Sequence, residues 1–349
     1  MSARGTQYRE TFPREKTYLM KRAMKTLSCL ALAFALLLSA LSGWLGWQAA
    51  PSMLHLPRRE FTAADRAAAA AFFSRRGAVL EEFTVRAPDG AALRGWKIRA
   101  EASSGDWVLL FHGQGDNRTG MEGYAALLLA TGYNVVMMDS RAHGASGGDI
   151  STYGWKERED SRAVVSALES AEHVRHLFAL GESMGASIAL QAAGADPRIE
   201  AVVAEAPFRN LREAAYDYAG LHWSPLLGKT LFFPGAWAVI RRGERDAGFS
   251  ARETSPEKSV AARAFPVLLI CDEADVVLPC RHSESLYAAA RGPKTLWEVP
   301  GASHTAALGV APQEFQRRIL SFFASAIPAP QAQAQPLHGQ EVKKLQVIR

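Results

Sequence analysis

Gly181, Glu182, Ser183, Met184 and Gly185 form a G-x-S-x-G run, placed directly after the apolar stretch HLFAL and directly before a helical pattern. A serine on a tight strand-to-helix turn needs small neighbours because the backbone is strained there, and the turn lifts its hydroxyl above the sheet. An ordinary helix N-cap would account for Ser183 but not for the glycines on either side of it. A hydroxyl is a weak nucleophile at neutral pH, so the chemistry requires a base to take its proton and an acid to orient that base. His304, in PGASH after the apolar run TLWEV, is the expected base, and activity should then fall as the imidazole protonates. The expected acid is Asp275, in DEADVVLP after FPVLLIC; Asp272 and Glu273 lie on the same loop and compete for the role. Negative charge developing on an attacked carbonyl oxygen needs backbone donors, for which the N–H groups of Met184 and of Gln114, in HGQG after WVLLF, are the candidates.

These residues must be held at the carboxyl ends of strands, and the chain supplies the strands. Leu80 to Arg86 and Ala91 to Arg99 alternate around Pro88, Asp89 and Gly90, which predicts an antiparallel hairpin. From there WVLLFH, YNVVMMD, HLFALG, IEAVVAEA, FPVLLIC and TLWEVPG alternate, with one interruption, with amphipathic stretches near 121–130, 157–172, 184–193, 282–291 and 312–324. Continuous Val, Leu and Ile runs suit strands buried on both faces, so the pattern predicts a mostly parallel sheet with helices on both sides. Between Phe208 and Val260 the rhythm breaks into an aromatic, glycine- and proline-containing stretch that reads as an inserted cap. The organisation expected is a basic N-terminal segment at 1–26, an apolar anchor or signal at 27–47, a linker and short helix at 48–77, an α/β domain at 78–327 with its cap at about 208–260, and a disordered tail at 328–349. Asp139, Arg141, His143, Glu157, Glu159 and Asp160 read as structural, holding a loop or opening a helix.

The segments HGQGDNR, DSRAHGASGG, TYGWKERED, GESMGA, DEADVVLP and PGASH, in this order, resemble the α/β-hydrolase superfamily over roughly Leu80 to Phe323. The likeness is greatest to serine hydrolases that include monoacylglycerol-lipase-like and membrane-anchored ABHD-type acyl hydrolases. The resemblance implies an α/β-hydrolase fold, acyl-ester, thioester or peptide-type substrates, no cofactor and no metal, and the triad Ser183, Asp275 and His304. Two departures from the family pattern stand out: Asp272 occupies a position where a glycine is usual, and Glu182 before the serine places a carboxylate beside the base.

Charge and cysteines narrow the partners. Seven basic and two acidic residues before Leu27 account for the whole net charge of +5, so the remainder is neutral and a nucleic-acid partner is not expected. Leu27 to Trp47 carries no charge for 21 residues, long enough at about 1.5 Å per residue to cross a hydrocarbon core of about 30 Å. The basic flank and the far-end Trp44 and Trp47 predict a cytoplasmic N-terminus and an extracytoplasmic hydrolase domain, periplasmic in a bacterium. A cleaved signal ending near Ala49 and Ala50, with secretion, is the alternative. Cys271 and Cys280 could bridge in an oxidising compartment, but their spacing favours two buried free thiols. The function expected is acyl-serine hydrolysis of a carboxylic ester or thioester of lipid-like character. The rivals are a serine peptidase for short peptides and a non-catalytic α/β scaffold that binds a partner.

Overall fold

The computed structural model describes residues 14–220 and 222–327. The expected disordered tail at 328–349, and the first half of the basic segment, lie outside the described residues. The chain opens with a helix α1 (Arg14–Leu54) and a second helix α2 (Ala63–Ser74), the latter begun by a capping box in which Thr62 and Asp65 bond reciprocally. Then come β1 (Val79–Arg86), β2 (Ala92–Arg99), β3 (Trp107–Phe111), α3 (Glu122–Leu129), β4 (Asn134–Met138), α4 (Glu157–Ala171), β5 (Leu177–Glu182), α5 (Met184–Ala195) and β6 (Ala201–Glu205). Four helices follow before the next strand: α6 (Leu211–Ala219), α7 (Pro225–Lys229), α8 (Phe233–Ala247) and α9 (Pro256–Ala262). The chain closes with β7 (Val267–Asp272), α10 (Arg281–Ala289), β8 (Lys294–Val299), α11 (Ala307–Val310) and α12 (Pro312–Ala326).

All eight strands join one sheet in the order β1-β2-β4-β3-β5-β6-β7-β8, with β1 and β2 antiparallel to their neighbours and the rest parallel. Alternate side chains of each strand serve opposite cores, as a pleat requires. Val108, Leu110, Phe178 and Leu180 pack with α3 and α12, whereas Trp107, Leu109, Leu177 and Ala179 pack with α4 and α5. Both faces are therefore covered, which is why the strands read as continuous apolar runs.

The segment at 48–77 departs from the linker expected there. Helix α1 does not stop at Trp47 but runs through Pro51 to Leu54, because its second half has a packing partner in α8. The approach is close: a Cβ added at Gly46 would lie 2.3 Å from the Gly235 carbonyl oxygen, and one at Gly43 would touch Pro234. Arg242 donates to the Trp47 carbonyl at 2.8 Å, and the guanidinium groups of Arg242 and Arg245 sit 5.4 and 4.9 Å from the Trp47 ring. From Leu27 to that contact the helix is apolar, and none of its window of highest hydropathy is buried.

The cysteines correct a second expectation. Cys271, at the end of β7, and Cys280 form a disulfide with Cα atoms 5.2 Å apart, not two free thiols. Their spacing matches no motif, but the loop after β7 doubles back on itself and brings both ends to one place. Asp272 and Asp275 both lie inside the loop so closed.

Candidate active site

Ser183 sits between the end of β5 and the first turn of α5 with φ 53° and ψ −120°, a left-handed backbone that costs a non-glycine residue about 1–3 kcal/mol. What holds it there is the crowding around it. A Cβ at Gly181 would fall 2.5 Å from the Gly185 carbonyl, and one at Gly185 would fall 2.2 Å from the Phe111 carbonyl at the end of β3. The Ser183 N–H donates to the Glu205 carbonyl at 2.8 Å, tying the turn to the neighbouring strand. Both flanking glycines are thus needed so that helix, turn and two strand ends can meet.

The loop after β8 brings in His304, 121 residues further along the chain. Its Nε2 lies 2.8 Å from Ser183 Oγ and its Nδ1 lies 2.6 Å from Asp275 Oδ2. A carboxylate accepts, so Nδ1 carries the proton and the Nε2 lone pair faces the serine hydroxyl. Asp275 is itself fixed, its Oδ1 accepting the N–H groups of Val277 at 2.7 Å and Leu278 at 2.9 Å. Asp272 does something else: its Oδ2 accepts the Thr305 N–H at 2.8 Å, next in sequence to the histidine. Burial raises the Asp272 carboxyl to about 6. Ser183, His304 and Asp275 are therefore brought together, and Asp272 stands behind the loop rather than behind the imidazole.

Met184 and Gln114, the candidate oxyanion donors, both line the cavity that Ser183 opens into. Met184 is the first residue of α5, where a helix has no internal acceptor for its N–H. His112, next to that loop, is locked as a neutral ring by Gly113 carbonyl on one nitrogen and the Ser140 N–H on the other. Asp139 binds Arg118, Arg141 binds Asp160 and Asp89, and Glu157 receives the N–H groups of Thr152 and Gly154. Each braces a loop near the site, and none touches the serine.

The sequence profile of the family described as serine aminopeptidase, S33, matches residues 103–238. The YqkD protein of Bacillus subtilis is 34% identical over 230 residues, covering 64% of this chain and 72% of that protein. The chain belongs to the α/β-hydrolase superfamily. The lysophosphatidylserine lipase ABHD12 of Danio rerio is a more distant relative of this hydrolase, 28% identical over 211 residues, covering 58% of this chain and 51% of the lipase. Among solved structures, the Pyrococcus furiosus esterase Pf2001 superposes with a TM-score of 0.61 at 24% identity, over 78% of this hydrolase and 98% of the esterase, a likeness of fold.

One part of the hydrolase was not anticipated from its sequence. Beneath the site, the Tyr124 hydroxyl lies 3.0 Å from Glu182 Oε2 and 2.9 Å from Glu205 Oε2, and the other Glu205 oxygen accepts the Ala307 N–H. One hydroxyl carries one proton, so one of these contacts needs a proton on the carboxyl itself. Burial, reinforced by the charge of Asp272, pushes Glu205 up to about 8, and burial raises Glu182 as well. Glu205 is therefore the protonated partner, donating to Tyr124, which donates to Glu182 beside the serine. The one hint in the sequence was a carboxylate closing the otherwise apolar strand AVVAE.

This arrangement has a consequence for stability. A carboxyl raised to about 8 in the fold keeps a proton that the unfolded chain releases near 4.3, so stability falls as pH rises through that window. Glu205→Gln keeps a donor for Tyr124 and an acceptor for Ala307 but cannot ionise. Relative to wild type, the variant is expected to gain on the order of a few kcal/mol between pH 5 and pH 9. Unfolding midpoints recorded across that range in detergent check this, and parallel curves for the two proteins would contradict it.

Proposed function

We propose that this hydrolase is a membrane-anchored serine esterase that cleaves carboxylic esters or thioesters with an apolar acyl group through an acyl-serine intermediate. The observation that carries the reading is the run of contacts from Ser183 through His304 to Asp275, at 2.8 and 2.6 Å, opening into an apolar cavity. In the reaction Ser183 Oγ attacks the ester carbonyl carbon as His304 Nε2 takes its proton, and Asp275 stabilises the imidazolium so formed. The N–H groups of Met184 and Gln114 receive the negative charge on the carbonyl oxygen. Collapse breaks the bond to the leaving alkoxide or thiolate, which takes the proton from His304. Water then attacks the acyl-serine, giving its proton to the same nitrogen, and the acid leaves as Ser183 is reprotonated.

The cavity has a volume of about 670 Å³, within the roughly 300–1,000 Å³ typical of clefts that bury a small ligand. Leu56, Phe208, Leu211, Phe232, Val239 and Leu278 are among its walls, and no charged residue lines it among the described residues. That lining favours an acyl chain over a peptide terminus, whose charge would need a partner. The family profile of a serine aminopeptidase keeps the peptidase as the second reading.

A retained anchor is favoured over a cleaved signal by the packing of α1 on α8. Processing near Ala49 would cut inside α1, where Ala50 is buried, and would strip the partner from Gly235. The basic residues ahead of the span favour an N-terminus in the cytoplasm, and the Cys271–Cys280 pair favours an oxidising, extracytoplasmic side for the hydrolase domain.

A series of p-nitrophenyl esters from acetate to palmitate, beside a panel of aminoacyl anilides, tests the substrate class. Turnover of the esters should rise with chain length as methylenes enter the cavity, by up to about 0.8 kcal/mol per buried CH2. Faster cleavage of the anilides than of every ester would replace the esterase reading with the peptidase.

A further inference from the structure

The helix that would cross the membrane also walls the cavity. Leu38, Leu41, Ser42, Leu45, Gly46 and Ala49 line the same space as Ser183, and their spacing of three and four residues marks one face of α1. All but Ala49 fall within the uncharged stretch from Leu27 to Trp47. From Leu38 to Trp47 the helix rises about 14 Å, roughly half of a hydrocarbon core of about 30 Å. The wall therefore descends through the outer half of the span. Leu41 and Leu45 are 47% and 51% exposed while lining the cavity, so they stand at its rim and face outward as well.

The cap agrees on the depth. Helices α1 and α8 run side by side in the same direction, Gly43 and Gly46 meeting Pro234 and Gly235, and Gly243 meeting Met53. The first turns of α8 lie beside the span, and there Phe233 and Trp237 are exposed, as are Trp223 and Leu226 just before, Trp223 by 84%. Further along α8 the surface turns basic, and Arg242 and Arg245 clasp Trp47. An aromatic ring with guanidinium groups is what the boundary between hydrocarbon and headgroups selects. The apolar end of the cap is thereby set into the bilayer and the basic end at its surface. Ser183 lies beyond that surface, since Met184 packs with Leu54 and Leu56 past the end of the span.

We propose that α1 is a wall of the substrate site as well as an anchor, and that the substrate is a long-chain acyl ester resident in the bilayer. Its chain enters sideways from the outer leaflet between α1 and the cap helices, past Leu41 and Leu45. The ester is lifted to Ser183 while the tail stays along Leu45, Leu41 and Leu38. This rests on the esterase reading and on α1 spanning the membrane. Leu41 and Leu45 are then specificity-determining residues for chain length and for membrane presentation.

The test uses the full chain reconstituted in phosphatidylcholine vesicles, with 1-oleoylglycerol in the bilayer and soluble p-nitrophenyl butyrate as the two substrates. In Leu41→Trp and Leu45→Trp, which narrow the rim, the ratio of kcat/KM for the bilayer ester to that for the soluble ester is expected to fall at least tenfold. Rates are normalised to the fraction of protein labelled by a fluorophosphonate. An unchanged ratio in both variants, or a wild-type enzyme that cleaves the soluble ester but not the bilayer one, overturns the lateral route. Absence of both labelling and soluble-ester turnover in wild type would instead remove the esterase reading beneath it. A readout independent of those variants is crosslinking in Ser183→Ala from a vesicle-borne oleoyl ester with a photoreactive chain end. Adducts on residues 38–49 are expected, and adducts confined to other segments would overturn the proposal.

Discussion

Ser183→Ala is expected to lower kcat toward p-nitrophenyl butyrate by on the order of 10⁵–10⁶ and to abolish labelling by a fluorophosphonate, with KM changed little. The size of the loss follows from what is removed. Without Oγ no acyl-enzyme forms, and the remaining apparatus can only favour direct attack by water, held by the oxyanion donors and the cavity. The fold should tolerate the change, because Ser183 is held by its N–H to the Glu205 carbonyl and by the glycine contacts, not by its side chain. Alanine keeps the positive φ no worse than serine does, so the unfolding midpoint should stay within a degree or two. Burst kinetics on wild type and steady-state rates on the variant check this, and a variant retaining more than about one per cent of activity would exclude Ser183 as the nucleophile.

Asp275→Asn and Asp272→Asn should differ by about a thousandfold in their effect, although both acids lie in one loop closed by a disulfide between cysteines nine positions apart. Asp275 accepts the Nδ1 proton of His304 at 2.6 Å, and an amide there can turn a donor toward that nitrogen and hold the ring in the wrong tautomer. The expected loss in kcat is about 10⁴. Asp272 only receives the Thr305 N–H, a bond that an asparagine oxygen still accepts, so about tenfold or less is expected. The second variant has its own signature: any contribution to the pH–rate profile from a carboxyl raised to about 6 by burial should vanish with it. Equal losses in the two variants would mean that the acid role is shared.

Much of this was legible along the chain. The six apolar runs and the two alternating hairpin segments became the eight strands, because a strand covered on both faces must be apolar at nearly every position and one covered on a single face must alternate, and those demands are local. The pair of glycines around Ser183 was legible for a similar reason: a five-residue turn must satisfy its own sterics. The choice between Asp275 and Asp272 was only partly so. Both follow the same strand, and what separates them is where His304 arrives from β8.

The parts that escaped are those whose cause lies between distant segments. Tyr124, Glu182 and Glu205 come from three elements, and neither of the first two bears any mark of the shared proton in its neighbours along the chain. Cys271 and Cys280 sit at an uninformative spacing, and only the return of the loop after β7 pairs them. Helix α1 was readable as apolar and uncharged, yet composition could not say that one face of it would meet Gly235 and wall a cavity.

The sequence by itself determined the strand and helix alternation, the tight turn at Ser183, the order of Ser183, Asp275 and His304 along the chain, and the presence of a stretch long and apolar enough to cross a bilayer. Periodicity, turn sterics and charge are properties of neighbouring residues, so they survive in one dimension. The tertiary structure decided which carboxylate faces the imidazole, which cysteines meet, where a buried proton resides, and that the apolar helix α1 forms part of the cavity. Those depend on how separate segments come to lie against one another, from the cysteines nine residues apart to α1 and Ser183 around one cavity, and only packing sets them.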